Sequence, residues 1–450
     1  MKNKSSQDKK KNPSSNKKTS EEKHKSVKGN NEKHVASSCM NVHASSSSPI
    51  DKTYSKIQDL ENTDKLLIQS PKFDVDAFQR WYKFYLNENN KDALQSMRIY
   101  IMKDTQKAMM ENGYYFTSKQ VKMALRNSEK EIFEKQLRMN KVYLYEEQDR
   151  VVGETINGDT TVSTSLTTSA SSSSLSTLLN ASSNQITSIT VVKEDCISAL
   201  IKLHEKGLNP CILNMASRNK GGGGYETGQP SQEETLFRVS NYIHSLLDPN
   251  DIYSKYALNV MDKPSSSVSH NHSHVNTFMG PKEFYPLSDF QVIYSPNVQL
   301  FRNGEDKFYE YLENGPLDIS IIAAAAYIRP GTFTDKKTNQ LRMTSKFEEG
   351  TKQKIRIILH AALDNGHDSI VLSAFGCGAY RCPSGHTAEL FHQVIHQEFP
   401  NRFKEIVFAI LDNDYTVKSS SESQKKQAES SSNGNSSSSS NYESFKKVFC

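Results

Sequence analysis

NMASRNKGGGGYETGQPSQEE, residues 214–234, is the stretch on which the reading of the whole chain turns. Four consecutive glycines, Gly221 to Gly224, have no side chains to pack, so they are most useful where backbone must approach a ligand and aim its N–H groups at it. A diphosphate is the natural guest of such a nest, and a merely flexible loop is the competing reading. Upstream, PCILN (210–214) reads as a short buried strand. Downstream, Leu236, Val239, Ile243 and Leu246 recur at helical spacing, which predicts one amphipathic helix over 232–247 with QEE in its first turn. Position between strand and helix favours the ligand reading, but the glycine spacing fits neither G-x-G-x-x-G nor a Walker A loop. A dinucleotide dehydrogenase and a P-loop NTPase are therefore disfavoured. Glu233 and Glu234 complement the helix macrodipole wherever the helix lies, yet the glycine run would bring phosphate and sugar beside them. Adjacent helical residues point about 100° apart, so the pair is not expected to face one atom. One acid would do acid/base work and the other hold hydroxyls.

Outward from this loop, strands and helices alternate. Ile189 to Val192 reads as a strand, and Asp195 caps a helix through Leu203 that Gly207 ends. FQVIY (290–294), ISIIAAAA (319–326), SIVLS (369–373) and IVFAIL (406–411) read as strands, with helices over 346–364 and 384–399. Before the loop, residues 93–138 begin with a helix stopped near Asn112 and Gly113. Such alternation predicts a three-layer α/β fold with a largely parallel or mixed sheet, whose ligands sit at the carboxyl ends of strands.

A second turn, AFGCGAY (374–380), follows SIVLS and again puts small residues where a backbone can meet phosphate; Tyr380 would lie against a ribose or base. Cys377 suggests a nucleophile, but no nearby histidine in sequence activates it, and small size alone explains a cysteine in a tight turn.

The remaining composition marks what does not pack. Of 450 residues only 35% are hydrophobic, and the formal net charge of +5 owes much to KNKSSQDKKKNPSSNKKTSEEKHK at 2–25. Residues 1–65 are expected to be a disordered Lys/Ser/Asn-rich tail, 70–152 an N-terminal helical part, and 153–185 a Ser/Thr-rich insertion. The core then spans 186–450, with low-complexity insertions near 262–281 and 419–440. His270, His272 and His274 in one insertion lack acidic or cysteine partners at ligand spacing, so no metal is expected. Six cysteines without a CxxC pair, no apolar signal segment and no run of about 20 apolar residues suggest an intracellular protein, cytoplasmic or nuclear, without a membrane partner.

NMASRNKGGGGYETGQPSQEE resembles the signature of the microbial-type poly(ADP-ribose) glycohydrolase family: three glycines, a spacer of six to eight residues, then QEE. DCISALIKLHEKG, YSPNVQLFRN, SAFGCGAY, FAILD and NYESFKKVF extend the likeness over residues 93–450, less the insertions. The resemblance implies a macrodomain-like α/β/α sandwich with a mixed sheet, hydrolysing poly(ADP-ribose) to ADP-ribose without cofactor or metal. It implies Glu234 as catalytic acid and base, Glu233 on ribose hydroxyls and Gln232 supporting the loop. Gly222, Gly223 and Gly224, with Gly376, Cys377, Gly378, Ala379 and Tyr380, would hold the diphosphate. Gly221 stands where the family often has Pro, Tyr380 where it usually has Phe, and RCPSG (381–385) replaces a GNP-like run. The implied partners are poly(ADP-ribose) or ADP-ribosylated proteins, met by a monomer with no sequence-specific nucleic-acid binding. A non-hydrolysing ADP-ribose reader and a mono-ADP-ribosyl hydrolase are the alternatives.

Overall fold

The computed structural model describes residues 73–126, 130–146, 150–155, 164–167, 186–248, 284–412 and 440–450. The expected tail at 1–65, the histidine-bearing stretch at 262–281 and nearly all of 419–440 lie outside them, as does most of 153–185.

The chain opens with two helices, α1 (Val75–Asn87) and α2 (Lys91–Lys107). Asp74 and Asn90 cap them, accepting from the amides of Ala77 at 2.9 Å and Ala93 at 3.0 Å. A π-helical turn, Ala108–Asn112, continues α2 until Gly113, at φ 66°, stops it. A hairpin of β1 (Tyr114–Phe116) and β2 (Lys122–Ala124) precedes α3 (Lys130–Arg138), and then come β3 (Lys141–Glu146), β4 (Arg150–Thr155) and β5 (Thr164–Thr167). The segment 70–152, expected to be helical, thus also supplies strands, because KVYLYE alternates aliphatic and aromatic residues and fully buries Tyr143.

After β6 (Ser188–Val192), α4 (Cys196–Glu205) and β7 (Pro210–Met215) follow as the sequence predicts. Asp195 accepts from the Ile197 amide at 2.7 Å, and Gly207 has φ 76°. The single helix expected over 232–247 is instead two, α5 (Gln232–Val239) and α6 (Ile243–Leu246). Ser240 turns extended to bridge Leu300, and Asn241 exchanges hydrogen bonds with Gln299, accepting on Oδ1 from its amide at 2.7 Å. Sheet pairing overrides helical periodicity there. β8 (Gln291–Leu300) is twice the expected length, because a bulge between Ser295 and Val298 absorbs Pro296 and lets pairing resume. The remaining elements are β9 (Leu317–Ala324), the hairpin β10 (Thr332–Thr334) and β11 (Leu341–Met343), α7 (Ser345–Asp364), β12 (Ser369–Leu372), α8 (Ser384–Glu398), β13 (Glu405–Ala409) and α9 (Asn441–Phe449).

Nine strands form one sheet in the order β5-β4-β3-β8-β9-β7-β12-β13-β6. From β9 to β6 every pairing is parallel, and from β5 to β9 every pairing is antiparallel. The period of two is explicit in the central strands. Cys211, Leu213, Ile370, Leu372, Ile406 and Phe408 join the core under α7, α8 and α9. The intervening Ile212, Val371 and Val407 are buried on the other face, against which α4 packs. With α2 packed on α5, the result is the three-layer α/β/α sandwich with a mixed sheet that the sequence leads one to expect. No helix among the described residues is long and apolar enough to cross a membrane.

Candidate active site

Parallel neighbours β9, β7 and β12 end side by side, and their carboxyl-end loops build the site. The first loop leaves β7 after Met215 and re-enters regular structure at Gln232. Gln232 ties those ends together, accepting from the Met215 amide at 2.9 Å and donating to the Leu213 carbonyl at 2.7 Å. Glu233 then turns inward. Its Oε2 accepts from the Ser217 amide at 2.7 Å, and its Oε1 accepts from the Gly222 amide at 3.1 Å and from Asn214 Nδ2 at 3.4 Å.

Glu234 is treated differently. Its Oε1 accepts from the Gly224 amide at 2.8 Å, while Oε2 is buried with no hydrogen-bond partner among the described residues. Gly222 and Gly223 have φ of 78° and 51°, the left-handed region that favours glycine. A Cβ on Gly223 would lie 2.5 Å from Glu234 Oε1 and 3.0 Å from Glu233 Oε2. Both carboxylates therefore reach the same glycine, contrary to the expectation that adjacent helical residues cannot face one point. The glutamate side chain is long enough to bend two diverging Cα–Cβ bonds back to one place.

This geometry changes the part the glycines play. The amides of Gly222 and Gly224, expected to face a diphosphate, are directed at the two acids instead. Burial pushes the Glu233 carboxyl up to about 8, helped by the charge of Glu234 and opposed by the hydrogen bonds from Ser217, Asn214 and Gly222.

The second turn follows β12. Gly376 has φ 76°, and a Cβ there would meet Ala326 Cβ at 2.6 Å and Cys382 Sγ at 2.8 Å, so the turn is pressed onto the end of β9. The Cys377 thiol is buried and pushed well above its ordinary value, first by burial and then by Cys382, which removes it as a nucleophile. The amides of Gly378, Ala379 and Tyr380 have no hydrogen-bond partner among the described residues, leaving three donors in a tight turn. Tyr380 joins the two loops: its hydroxyl stands beside Ser217 and the Arg218 backbone, and burial followed by the charge of Glu233 raises it.

All the residues singled out in the sequence, Gln232, Glu233, Glu234, Gly222–Gly224 and Gly376–Tyr380, thus lie on two loops that Tyr380 brings into contact or, for QEE, on the first turn of the helix that ends the first loop. Others went unmarked. Asn214 and Ser217 hold Glu233. Tyr242 and Tyr285 are buried, and the charge of Glu233 is felt at both. A polar Asn214 in an otherwise apolar buried strand was the available signal. Behind the loop, a Cβ on Gly228 would meet the Gln95 carbonyl oxygen of α2 at 2.3 Å, and Gln95 Nε2 donates to the Thr227 carbonyl. Among the described residues no group of three or more His, Cys, Asp or Glu is placed to hold a metal ion.

Residues 103–303 match the family model described as microbial-type PARG, catalytic domain. No match to the chain was found among curated proteins. Among solved structures, the poly(ADP-ribose) glycohydrolase of Thermomonospora curvata bound to the inhibitor ADP-HPD is 21% identical, with a TM-score of 0.47, covering 78% of this chain and 99% of that one. The poly(ADP-ribose) glycohydrolase of Deinococcus radiodurans in complex with ADP-ribose is 20% identical, with a TM-score of 0.42, covering 70% and 96%.

Proposed function

We propose that the chain, whose residues 103–303 match the family model described as microbial-type PARG, catalytic domain, hydrolyses the ribose–ribose bonds of poly(ADP-ribose), releasing ADP-ribose, with Glu234 as the catalytic residue. The observation that carries this choice is the asymmetry of the two acids. Glu233 takes three protein donors on its two oxygens, whereas Glu234 keeps a buried Oε2 that none of the described residues occupies.

In this reading the proton reaches the leaving ribose oxygen from Glu234 as the glycosidic bond breaks. The Glu234 carboxylate next takes a proton from water as that water adds to the oxocarbenium-like carbon, which restores the acid. Glu233, held rigidly by Ser217, Gly222 and Asn214, turns its one remaining hydrogen-bonding position to a ribose hydroxyl. Its raised carboxyl keeps a proton within the site near neutral pH. The open amides of Gly378, Ala379 and Tyr380 receive the diphosphate. Gly222–Gly224 contribute close approach, and two of their amides fix the acids.

Glu234→Gln tests the assignment. Turnover of poly(ADP-ribose) is expected to fall by about 10³-fold or more while ADP-ribose still binds in calorimetry. Unchanged turnover removes Glu234 from the mechanism, and binding of polymer without hydrolysis by the wild type would make the chain a reader.

A further inference from the structure

Each of the three loops that build the site carries an arginine: Arg218 after β7, Arg329 after β9 and Arg381 after β12. Tyr380 is their common joint. Its carbonyl accepts from the Arg329 amide at 2.7 Å, its hydroxyl stands beside the Arg218 backbone, and Arg381 follows it in the chain. Arg329 and Arg381 have φ of 48° and 58°, in the left-handed region where a long side chain is uncommon. Both backbones are pinned there, since the Arg381 amide donates to the Gly378 carbonyl at 3.0 Å. Arg218 is engaged, with Nη1 2.9 Å from Asp289 Oδ1. Arg329 and Arg381 are exposed and have no ion pair among the described residues.

Two exposed arginines without an ion pair among the described residues, their backbones held at positive φ by the turn that presents three open amides, mark a place for anionic ligand just outside that turn. We propose that Arg329 and Arg381 form a rim subsite for the diphosphate of the ADP-ribose unit next to the one being cleaved off. This rests on the polymer-hydrolase reading given above. Every unit of such a polymer brings its own diphosphate, so a site whose inner amides take one must route the neighbouring one across its rim. The rim therefore favours polymer over a single ADP-ribose.

The full-length chain tests this in two arms. In the first, Arg329→Ala/Arg381→Ala is compared with wild type for the KM and kcat of poly(ADP-ribose) hydrolysis, and for ADP-ribose affinity by calorimetry. Loss of charge-assisted contacts is expected to raise KM about tenfold or more, with kcat and ADP-ribose affinity unchanged and Arg329→Lys/Arg381→Lys partly restored. In the second, polymer binding to Glu234→Gln, with and without the arginine changes, is followed against NaCl, and the salt slope is expected to flatten when the arginines are removed. An unchanged KM and slope overturns the proposal. So does an equal weakening of ADP-ribose and polymer, which would assign the arginines to the inner diphosphate. Absence of wild-type turnover refutes the catalytic reading instead, and the binding arm still decides the rim.

Discussion

A methyl group at Gly223 would stand 2.5 Å from Glu234 Oε1, on a backbone whose φ of 51° already disfavours any side chain. Gly223→Ala is therefore expected to push both acids aside and lower kcat/KM by about 10²-fold, measured on polymer, with a smaller fall in Tm. An active Gly223→Ala would mean that the acids need not converge. Glu233 gives a pH signature. Its carboxyl rises from the usual 4.5 to about 8 in the folded chain, so the folded state holds a proton between those values that the unfolded state has released. Stability contributed by this group is full below pH 4.5 and falls as pH rises toward 8. Melting temperatures across that range should decline more steeply in wild type than in Glu233→Gln, and identical slopes would contradict the shift. The acids were legible because glycines and QEE sit together in the chain. Ser217 and Asn214 were not, because a backbone amide looks the same in every sequence and the Asn214 amide group finds Glu233 only once β7 and α5 are placed.

Among elements, α2 and the glycine-rich loop after β7 meet at Gly228. A Cβ there would lie 2.3 Å from the Gln95 carbonyl oxygen, and φ is 71°. Gly228→Ala is expected to cost about 1–3 kcal/mol in urea denaturation and to expose the loop to protease before the core opens; equal protease resistance would show that α2 does not brace it. Element boundaries were readable where one force acted alone, as at α4 between Asp195 and Gly207. They failed where two competed. Leu236, Val239, Ile243 and Leu246 keep helical spacing, yet Ser240 and Asn241 answer to β8. Pro296 disguises β8 as a turn, although the strand runs past it to Leu300. Tyr143 and its neighbours in β3 gave too short an alternation to stand out beside the helices before them.

For the whole molecule, the N-terminal helices are keyed to the sheet by a buried charge. Arg302, fully buried, pairs with Asp104 of α2, donates to the Tyr309 carbonyl at 2.9 Å and lies 3.6 Å above the Tyr311 ring. Asp104→Ala would leave that guanidinium without its counter-charge and is expected to destabilise the fold by about 3–5 kcal/mol, read by denaturant unfolding. A change below about 1 kcal/mol would show the pair to be solvated.

The order of strands in the sheet also decides where this chain can grow. Its low-complexity sequence enters between β4 and β6, between α6 and β8, and between β13 and α9. None enters the connections that leave β7, β9 and β12 for the site. Lengthening a connection is thermodynamically mild, about 0.6 kcal/mol per doubling, so stability alone does not impose that division. Three adjacent strand ends that must keep two loops locked at Tyr380 do impose it: one added residue there would displace an acid or one of the open amides. The chain is thus divided into connections free to accumulate length and connections whose length is part of the chemistry.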